Sequence, residues 1–441
     1  MPKHDQPADL AKYVSDYFKG LKTFKRPKPS ATLLTDLFNC LYYASMQTEE
    51  GELTQVAVCL YNPDEQNEEV DLDEEPIDHW QFTAFNEPIP LTTKSIVKIS
   101  KAADPWSTTI AVYYDEAGEL FIHGLIDQAI HNQSYINYES DGAPAFPGEL
   151  QVTIQGIGII AVTRGRRLLG ILRQHILVKS FLDVLGIGQL SDLLELKSKS
   201  SLRNVEQFLK KNYPEEEYEE VEELVFNVWR DTLSRLFIQI RKYHHGGAIL
   251  ITKDKKNLDI KYPFVYKRLF YAMNRFVKVS LQYENIKRKV SRLKTIPKDD
   301  FDLFINVEFW KKEVSNELKG AIRFIASQTC VDGLIVFNEK LETLGFGAVI
   351  ENISPPNEVY YSPNAEYKDA NLIKRNPQEL GTRHRSMMTY CAENEGSIGI
   401  VISQDGDIRI MSLFDRKLIV WENVKTQRYL RASISVSPPK L

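Results

Sequence analysis

The stretch of this sequence best equipped for chemistry is Gly381-Thr382-Arg383-His384-Arg385. Two guanidinium groups flank an imidazole, just ahead of a run, Ser386 to Glu393, that predicts a helix. A helix start presents free backbone N–H groups and the positive end of the helix dipole. Guanidinium forks added there suit several phosphate oxygens at once. The chemistry implied is binding of a polyphosphate, with a nucleoside triphosphate as the first expectation. A solvated basic helix start is the competing reading.

A second stretch, Val331-Asp332-Gly333-Leu334-Ile335-Val336-Phe337, begins with Asp-Gly and continues as an apolar strand. A carboxylate at a strand mouth can hold a divalent cation or orient a hydroxyl. Gly333 would let a ligand approach the backbone. A plain helix-to-strand turn uses Asp-Gly as well.

Other candidates carry less. The acidic run Asp64 to Asp78 has no Gly-turned ligand loop and is expected to be a solvated loop. Gln155-Gly156-Ile157-Gly158 holds a GxG without the rest of a dinucleotide fingerprint, so close packing in a sheet is expected. Arg164-Gly165-Arg166-Arg167 reads as a basic turn, open to an anionic ligand or to solvent. His244 and His245 are adjacent, lack a Cys or carboxylate at ligand spacing, and are expected to be solvated.

The elements around these stretches read as follows. Helices are expected over Ala8 to Tyr17, Ala31 to Ser45, Leu168 to Leu185, Leu202 to Asn212, Val228 to Tyr243, Pro263 to Leu293 and Val314 to Ser327. Strands are expected over Thr54 to Asn62, Ser95 to Ile99, Thr108 to Tyr114, Leu120 to Leu125, Glu149 to Val162, Ala248 to Ile251 after a Gly246-Gly247 turn, Val331 to Phe337, Gly345 to Ile350, Ser397 to Ser403 and Ile408 to Leu413. Residues 351–379 read as a loop rich in Pro, Asn and Tyr. A polar segment, Gly186 to Ser201, suggests a boundary.

The chain has 441 residues, a formal net charge of -5 and 43% hydrophobic residues. Two or three domains with real cores are expected. The net charge argues against a general binder of nucleic acid or anionic membranes. Cys40, Cys59, Cys330 and Cys391 form no CxxC pair, which fits a reducing compartment. No signal peptide opens the chain and no apolar run reaches the roughly 18–20 residues of a membrane span. A cytoplasmic protein is expected.

With Asp332-Gly333-Leu334 followed by Gly381-Thr382-Arg383-His384-Arg385, a helix and Ile400-Val401-Ile402-Ser403, the chain resembles the diadenylate cyclase domain family. That family's hallmarks are a DGA motif and a downstream RHR. Gly246-Gly247-Ala248-Ile249-Leu250-Ile251 is similar to its glycine-led first strand. The resemblance covers roughly residues 225–425. It implies condensation of two ATP molecules to cyclic di-AMP and pyrophosphate, with Mg²⁺ or Mn²⁺, across two subunits meeting face to face. By that resemblance Asp332 would bind the metal and activate the 3′-hydroxyl, with Gly333 and Leu334 against the nucleotide. Gly381, Thr382, Arg383, His384 and Arg385 would hold the triphosphate, and Ser403 matches a family Ser. Leu334 replaces the usual Ala. Gln404 stands where the family has Glu, and Asp405 is the neighbouring carboxylate offered as metal ligand in its place.

The expected organisation is an N-terminal α+β regulatory or sensor-like domain (1–190), which resembles, more loosely, sensor modules fused to such cyclases. A linker and helix (191–224), a cyclase-like domain with a mixed β-sheet flanked by helices (225–425) and a tail (426–441) follow. The expected partners are ATP and a second copy of the chain. A nucleotide-binding sensor without catalysis and a cyclase using other nucleotides are the alternatives.

Overall fold

Local capping and periodicity decide how the chain begins. Ser30 accepts a hydrogen bond from the Leu33 amide, and Leu34, Leu37, Phe38 and Leu41 then recur on one buried face. That combination makes an amphipathic helix rather than a strand. In the computed structural model, residues 4–21, 28–61, 80–140, 150–212, 218–243, 245–351, 354, 356–404 and 406–428 are described. The chain divides into two compact units, Met1–Phe181 with Gln427–Leu441, and Leu182–Thr426.

The first unit contains helices α1 (Pro7–Lys19), α2 (Ala31–Ala44), α3 (Thr93–Ser100) and α4 (Asn132–Ile136). Its strands are β1 (Thr48–Glu49), β2 (Glu52–Leu53), β3 (Ala57–Leu60), β4 (Trp80–Pro90), β5 (Thr108–Tyr114), β6 (Leu120–Gln128), β7 (Leu150–Gly156), β8 (Ile159–Arg164), β9 (Arg167–Arg173) and β10 (Ile176–Val178). Among the described residues, β3 to β10 form one sheet in the order β10-β9-β8-β7-β3-β5-β6-β4. Leu10, Val14 and Phe18 of α1 and the stripe of α2 form one core with Val58, Ile110, Val112, Val152 and Val162.

The second unit contains α5 (Gln189–Asn212), α6 (Tyr218–Lys242), β11 (Gly247–Ile251), β12 (Leu258–Tyr266), α7 (Arg268–Ser291), α8 (Lys298–Gln328), β13 (Leu334–Phe337) and β14 (Thr343–Ile350). It continues with β15 (Val359–Tyr361), β16 (Ile373–Arg375), α9 (Thr382–Glu393), β17 (Ile398–Ile402), β18 (Ile408–Phe414) and β19 (Lys417–Trp421). The described strands run in the order β12-β14-β13-β11-β17-β18-β19-β15-β16. Strand β11 pairs parallel with β13 and antiparallel with β17. Alternate residues of the central strands divide between two cores. Ile249, Ile251, Ile335, Phe337, Ile400 and Ile402 pack with α5–α8. Leu250, Leu334, Val336 and Val401 pack with Met387, Met388, Tyr390 and Cys391 of α9.

The mixed α+β architecture matches the sequence expectation, and several elements differ. Ser95 to Ile99 is helical because Thr92 and Ser95 close a reciprocal capping box around the start of α3. The helix expected over Leu168 to Leu185 is instead the hairpin β9–β10. Gly170 sits inside β9, where a Cβ would stand 3.1 Å from Leu10 Cδ1, so this glycine admits α1 to the sheet. The single strand expected over 149–162 turns at Gly158, with φ +65°, into β7 and β8. Part of the helix expected from Pro263 is β12, whose side chains pair along β14. The loop expected over 351–379 includes the short strands β15 and β16. Within 191–224, read as linker and helix, the described residues belong to α5 and the start of α6. Leu190, Leu194 and Val205 of α5 join the second unit's core, and Trp229 Nε1 of α6 donates to Ser201 Oγ at 2.9 Å. The expected acidic loop, His244 and Asp405 lie outside the described residues.

Candidate functional site at the mouth of the second sheet

The register of three strands builds the site. Gly247 lies opposite Ile402 and Ile249 lies beside Ile335. The starts of β11 and β13 and the end of β17 therefore share one edge of the sheet. Asp332-Gly333 precedes β13, Gly246 precedes β11, and Ser403-Gln404 follows β17.

Helix α9 packs over β17 and β18 and brings its first turn to the same edge. Its second half is fixed first. Tyr390 Oη donates to the Asp254 carbonyl at 2.6 Å, beyond the end of β11. Gly399 of β17 lets α9 sit close, because a Cβ there would lie 2.8 Å from Cys391 Sγ. At the other end, Gly246 has φ +71°, and a Cβ on it would stand 3.3 Å from Arg383 Nη1, 3.3 Å from the Gln404 amide and 2.8 Å from the Ile402 carbonyl oxygen. Gly246 is thus the point where Arg383, the end of β17 and the start of β11 converge.

The first turn of α9 is poorly matched to its own dipole. Its N-cap is Gly381, which supplies no side-chain cap, and the turn contains no acidic residue. Arg383 and Arg385 stand where cations are disfavoured by about 0.3–1 kcal/mol each. Burial of Met387, Met388 and Tyr390 outweighs that, since a fully buried Met side chain alone contributes about 1.5–3 kcal/mol. A bound anion would convert the mismatch into attraction. Gly381 and Thr382 are exposed, and a Cβ at Gly381 would meet nothing within 4 Å, so the helix start is open to a ligand.

The sequence-expected residues have different roles in this geometry. Arg385 Nη1 donates to Gln378 Oε1 at 2.9 Å, which holds its side chain beside the loop that precedes α9. His384 faces the sheet, and its Nε2 lies 2.9 Å from Arg409 Nη1. A guanidinium only donates, so this imidazole nitrogen accepts and carries no proton. Ser403 shapes the hairpin: its amide and hydroxyl both donate to the Asp407 carbonyl, at 2.9 and 3.2 Å. Leu334 is buried between β14 and α9, so what it can offer a ligand is its backbone. Gly333 has φ +112°, and a Cβ there would clash with the Gly347 backbone at 2.6 Å. The neighbouring strand, rather than a ligand, occupies that approach.

Sequence reasoning missed the support behind His384. Arg409 of β18 donates from Nε to Glu422 at 2.6 Å and pairs with Asp407 at 3.1 Å. Burial opposes its charge, but Asp407 and Glu422 outweigh that and raise its pKa further. Arg375 also approaches Glu422, at 3.8 Å, and lies 4.3 Å over the Tyr361 ring. Burial, followed by Glu422, pushes the Tyr361 hydroxyl up to about 12. Arg241, near the end of α6, reaches the hairpin after β17, since a Cβ at Gly406 would stand 3.0 Å from its Nε. One signal for Arg409 exists in the sequence: in Ile408-Arg409-Ile410 it is the lone charge on the face opposite the isoleucines.

Asp332 is exposed at this edge. Among the described residues, no group of three or more His, Cys, Asp and Glu could hold a metal ion. A hard cation here would rest on Asp332, water and ligand oxygens, the sparse protein ligation that suits Mg²⁺ on a nucleotide. Among the described residues no helix is long and apolar enough to cross a membrane.

Comparison with known families places one segment. A family described as "Probable sensor domain DACNV" matches residues 23–127, wholly within the first unit. No curated protein matches the chain, and no solved structure does.

Proposed function

We propose that the second unit binds ATP at the sheet mouth and joins two ATP molecules into cyclic di-AMP and two pyrophosphates, under control of the first unit. The observation that carries this reading is the uncapped start of α9, bearing Arg383 and Arg385, at the same sheet edge as Asp332. In the proposed site Arg383 and the free amides of α9 take the triphosphate, and Arg385 and Thr382 flank it. His384, held by Arg409, positions the turn rather than donating to phosphate. Asp332 faces the ribose side. Attack of a 3′-hydroxyl on an α-phosphorus forms a P–O bond, releases pyrophosphate, and passes the hydroxyl proton to Asp332 or water. Such a step depends on in-line positioning and charge neutralisation more than on a covalent nucleophile. Mg²⁺ or Mn²⁺ would be held by Asp332 and the phosphates and would neutralise the developing charge. One ATP per subunit cannot close the ring alone, so the active form is a homodimer with two sites facing each other.

A second reading has its own support. By the resemblance to the cyclase domains, Gln404 after β17 stands where a carboxylate is usual, and Asp332 is the one carboxylate placed at the start of β13. A unit that binds nucleotide without turnover would fit that thin set of acids. Incubating the full chain with each NTP and Mg²⁺ or Mn²⁺, then identifying products by mass spectrometry, separates the readings. Cyclic di-AMP that disappears in Asp332→Asn and Arg383→Ala is the expected result. Another cyclic dinucleotide points to a different substrate, binding without product to the second reading, and no nucleotide binding overturns both.

A further inference from the structure

The first unit's sheet has a polar face that the function proposed above does not use. On the face toward α1 and α2, its central strands are apolar. On the opposite face, register places Thr109, Ala57 and Thr153 in one row and Ala111, Cys59, Gln151 and Thr163 in the next. Thr109 is 0%, Gln151 3%, Thr153 6% and Thr163 2% exposed. Apolar groups border this strip on both sides. Tyr61, Ile126, Trp80 and Phe82 lie toward β6, and Ile136, Leu168 and Ile171 toward β9.

Half of the strip is satisfied within the protein. Thr109 Oγ1 donates to Gln128 Oε1 at 2.7 Å, which uses its only proton. The 3.1 Å contact between Thr109 Oγ1 and His131 Nε2 must then be a donation from the imidazole. Its other nitrogen, Nδ1, accepts from the Gln133 amide at 3.2 Å, so one neutral tautomer fits both contacts. Burial agrees, pushing the His131 pKa down to about 4, with Asp104 opposing weakly. Gln133 Nε2 donates to Thr153 Oγ1 at 3.1 Å.

The other half is left open. Gln151 Nε2 and Thr163 Oγ1 are buried without a hydrogen-bond partner, on residues directly opposite each other in β7 and β8. Both side-chain polar atoms of Asn132, beside His131 and Gln133, are in the same condition. A buried polar group left unpaired is destabilising. Adjacent groups of this kind, beside a fully paired half, mark a place where something else completes the bonds.

The chemistry of that something follows from the lining. Gln151 Nε2 donates, and the Thr163 hydroxyl both donates and accepts. The strip itself carries no formal charge: His131 is neutral, and Arg173, further along β9, is already partnered. An ion buried here without a counter-charge would be strongly disfavoured.

We propose that the first unit binds an uncharged, amide-bearing small molecule across Gln151 and Thr163, with its ring or chain against the bordering apolar side chains. The amide oxygen accepts from Gln151 and Thr163, and the amide N–H donates to the Thr163 oxygen. Free carboxamides and the lactam edge of pyrimidine bases share this chemistry. The inference is independent of the nucleotide reading of the second unit, and its assay reads binding rather than turnover.

The test uses the full chain and saturation-transfer NMR with two matched pairs: nicotinamide against nicotinate, and uracil against orotate. At least one neutral member should bind, while both carboxylates do not. The nicotinamide and uracil arms tell the two sources apart. Gln151→Leu and Thr163→Val should weaken that binding at least tenfold. Without probe, both variants should melt no lower than the parent, because each removes an unpartnered polar group. Absence of binding by both neutral probes, equal binding of the carboxylates, binding unchanged in the variants, or a lowered melting temperature would each overturn the proposal.

Discussion

In the second unit the central strands are apolar on both faces, one face under α5–α8 and the other under α9. In the first unit the same kind of sheet is apolar on one face and carries threonine and glutamine on the other. Polar chemistry is consequently displaced to the strand mouths in one unit and lies within the sheet in the other. A strand mouth is wet and suits charged ligands held by arginine and helix ends. A buried sheet face is dry and suits neutral ligands held by side-chain hydrogen bonds. The contrast teaches that which face each strand's alternate residues present, more than the sheet itself, sets what each unit can bind.

The largest expected effect comes from breaking the second unit's packing. Gly399→Val should force Met387 and Cys391 away from β17 and lift α9, destabilising this unit by about 3 kcal/mol. Hydrogen exchange read by mass spectrometry should then show lost protection in β11, β17 and α9, with β5 to β8 unchanged. Equal loss in both units would mean they do not differ in the way argued here.

Arg383→Ala leaves the fold and removes charge from the mouth. Charge-assisted hydrogen bonds are each worth about 1.5–3 kcal/mol, so ATP affinity should fall roughly 10- to 100-fold. Calorimetry at low and high salt should also show a shallower salt dependence in the variant. Neutral probes of the first unit should bind as before.

The pH response should separate the units in the opposite sense. His131 is held neutral by burial, with a pKa of about 4 against 6.5 when exposed. The unfolded chain therefore takes up a proton that the folded chain refuses. The first unit should hold its full stability above about pH 6.5 and lose it as the pH falls towards 4. At pH 5 the loss is on the order of 2 kcal/mol. Pulse proteolysis across this range should show the first unit yielding before the second, and His131→Gln should flatten the trend.

Much of this contrast was visible in the sequence, unevenly. The mouth was legible because Asp332-Gly333 and Gly381 to Arg385 are local patterns of chemistry at element ends. The supports were not: Arg409, Glu422 and Gly246 matter only because register brings them beside α9. The buried strip was invisible for the same reason. Thr109 and Gln151 stand in strands expected from the sequence and Thr163 lies just past the end of one, and only cross-strand pairing makes them neighbours. Two element errors have local causes. Ile96, Val97 and Ile99 favour a strand, but a capping box overrules them in α3. Leu168-Leu169-Gly170-Ile171-Leu172 has a leucine content that suits a helix, but it is committed by tertiary packing to β9.

The smallest effect is on reactivity alone, and it gives each unit its own reporter. Cys59 lies on the polar-face side of β3, and Cys391 lies in α9. Burial raises both thiols far above their ordinary range, to about 12 for Cys391. Cys40 is partly buried and raised to about 11, whereas Cys330 is exposed. A thiolate-directed reagent should therefore modify Cys330 first without altering stability or binding. Cys59 and Cys391 should react only through opening of their own units. ATP should slow Cys391 and leave Cys59 alone, because only the second unit's open state is depleted by a ligand at the mouth. An uncharged amide probe should do the reverse. If either ligand protects both cysteines equally, the two units are one cooperative body and the division of chemistry between mouth and face does not follow their boundary.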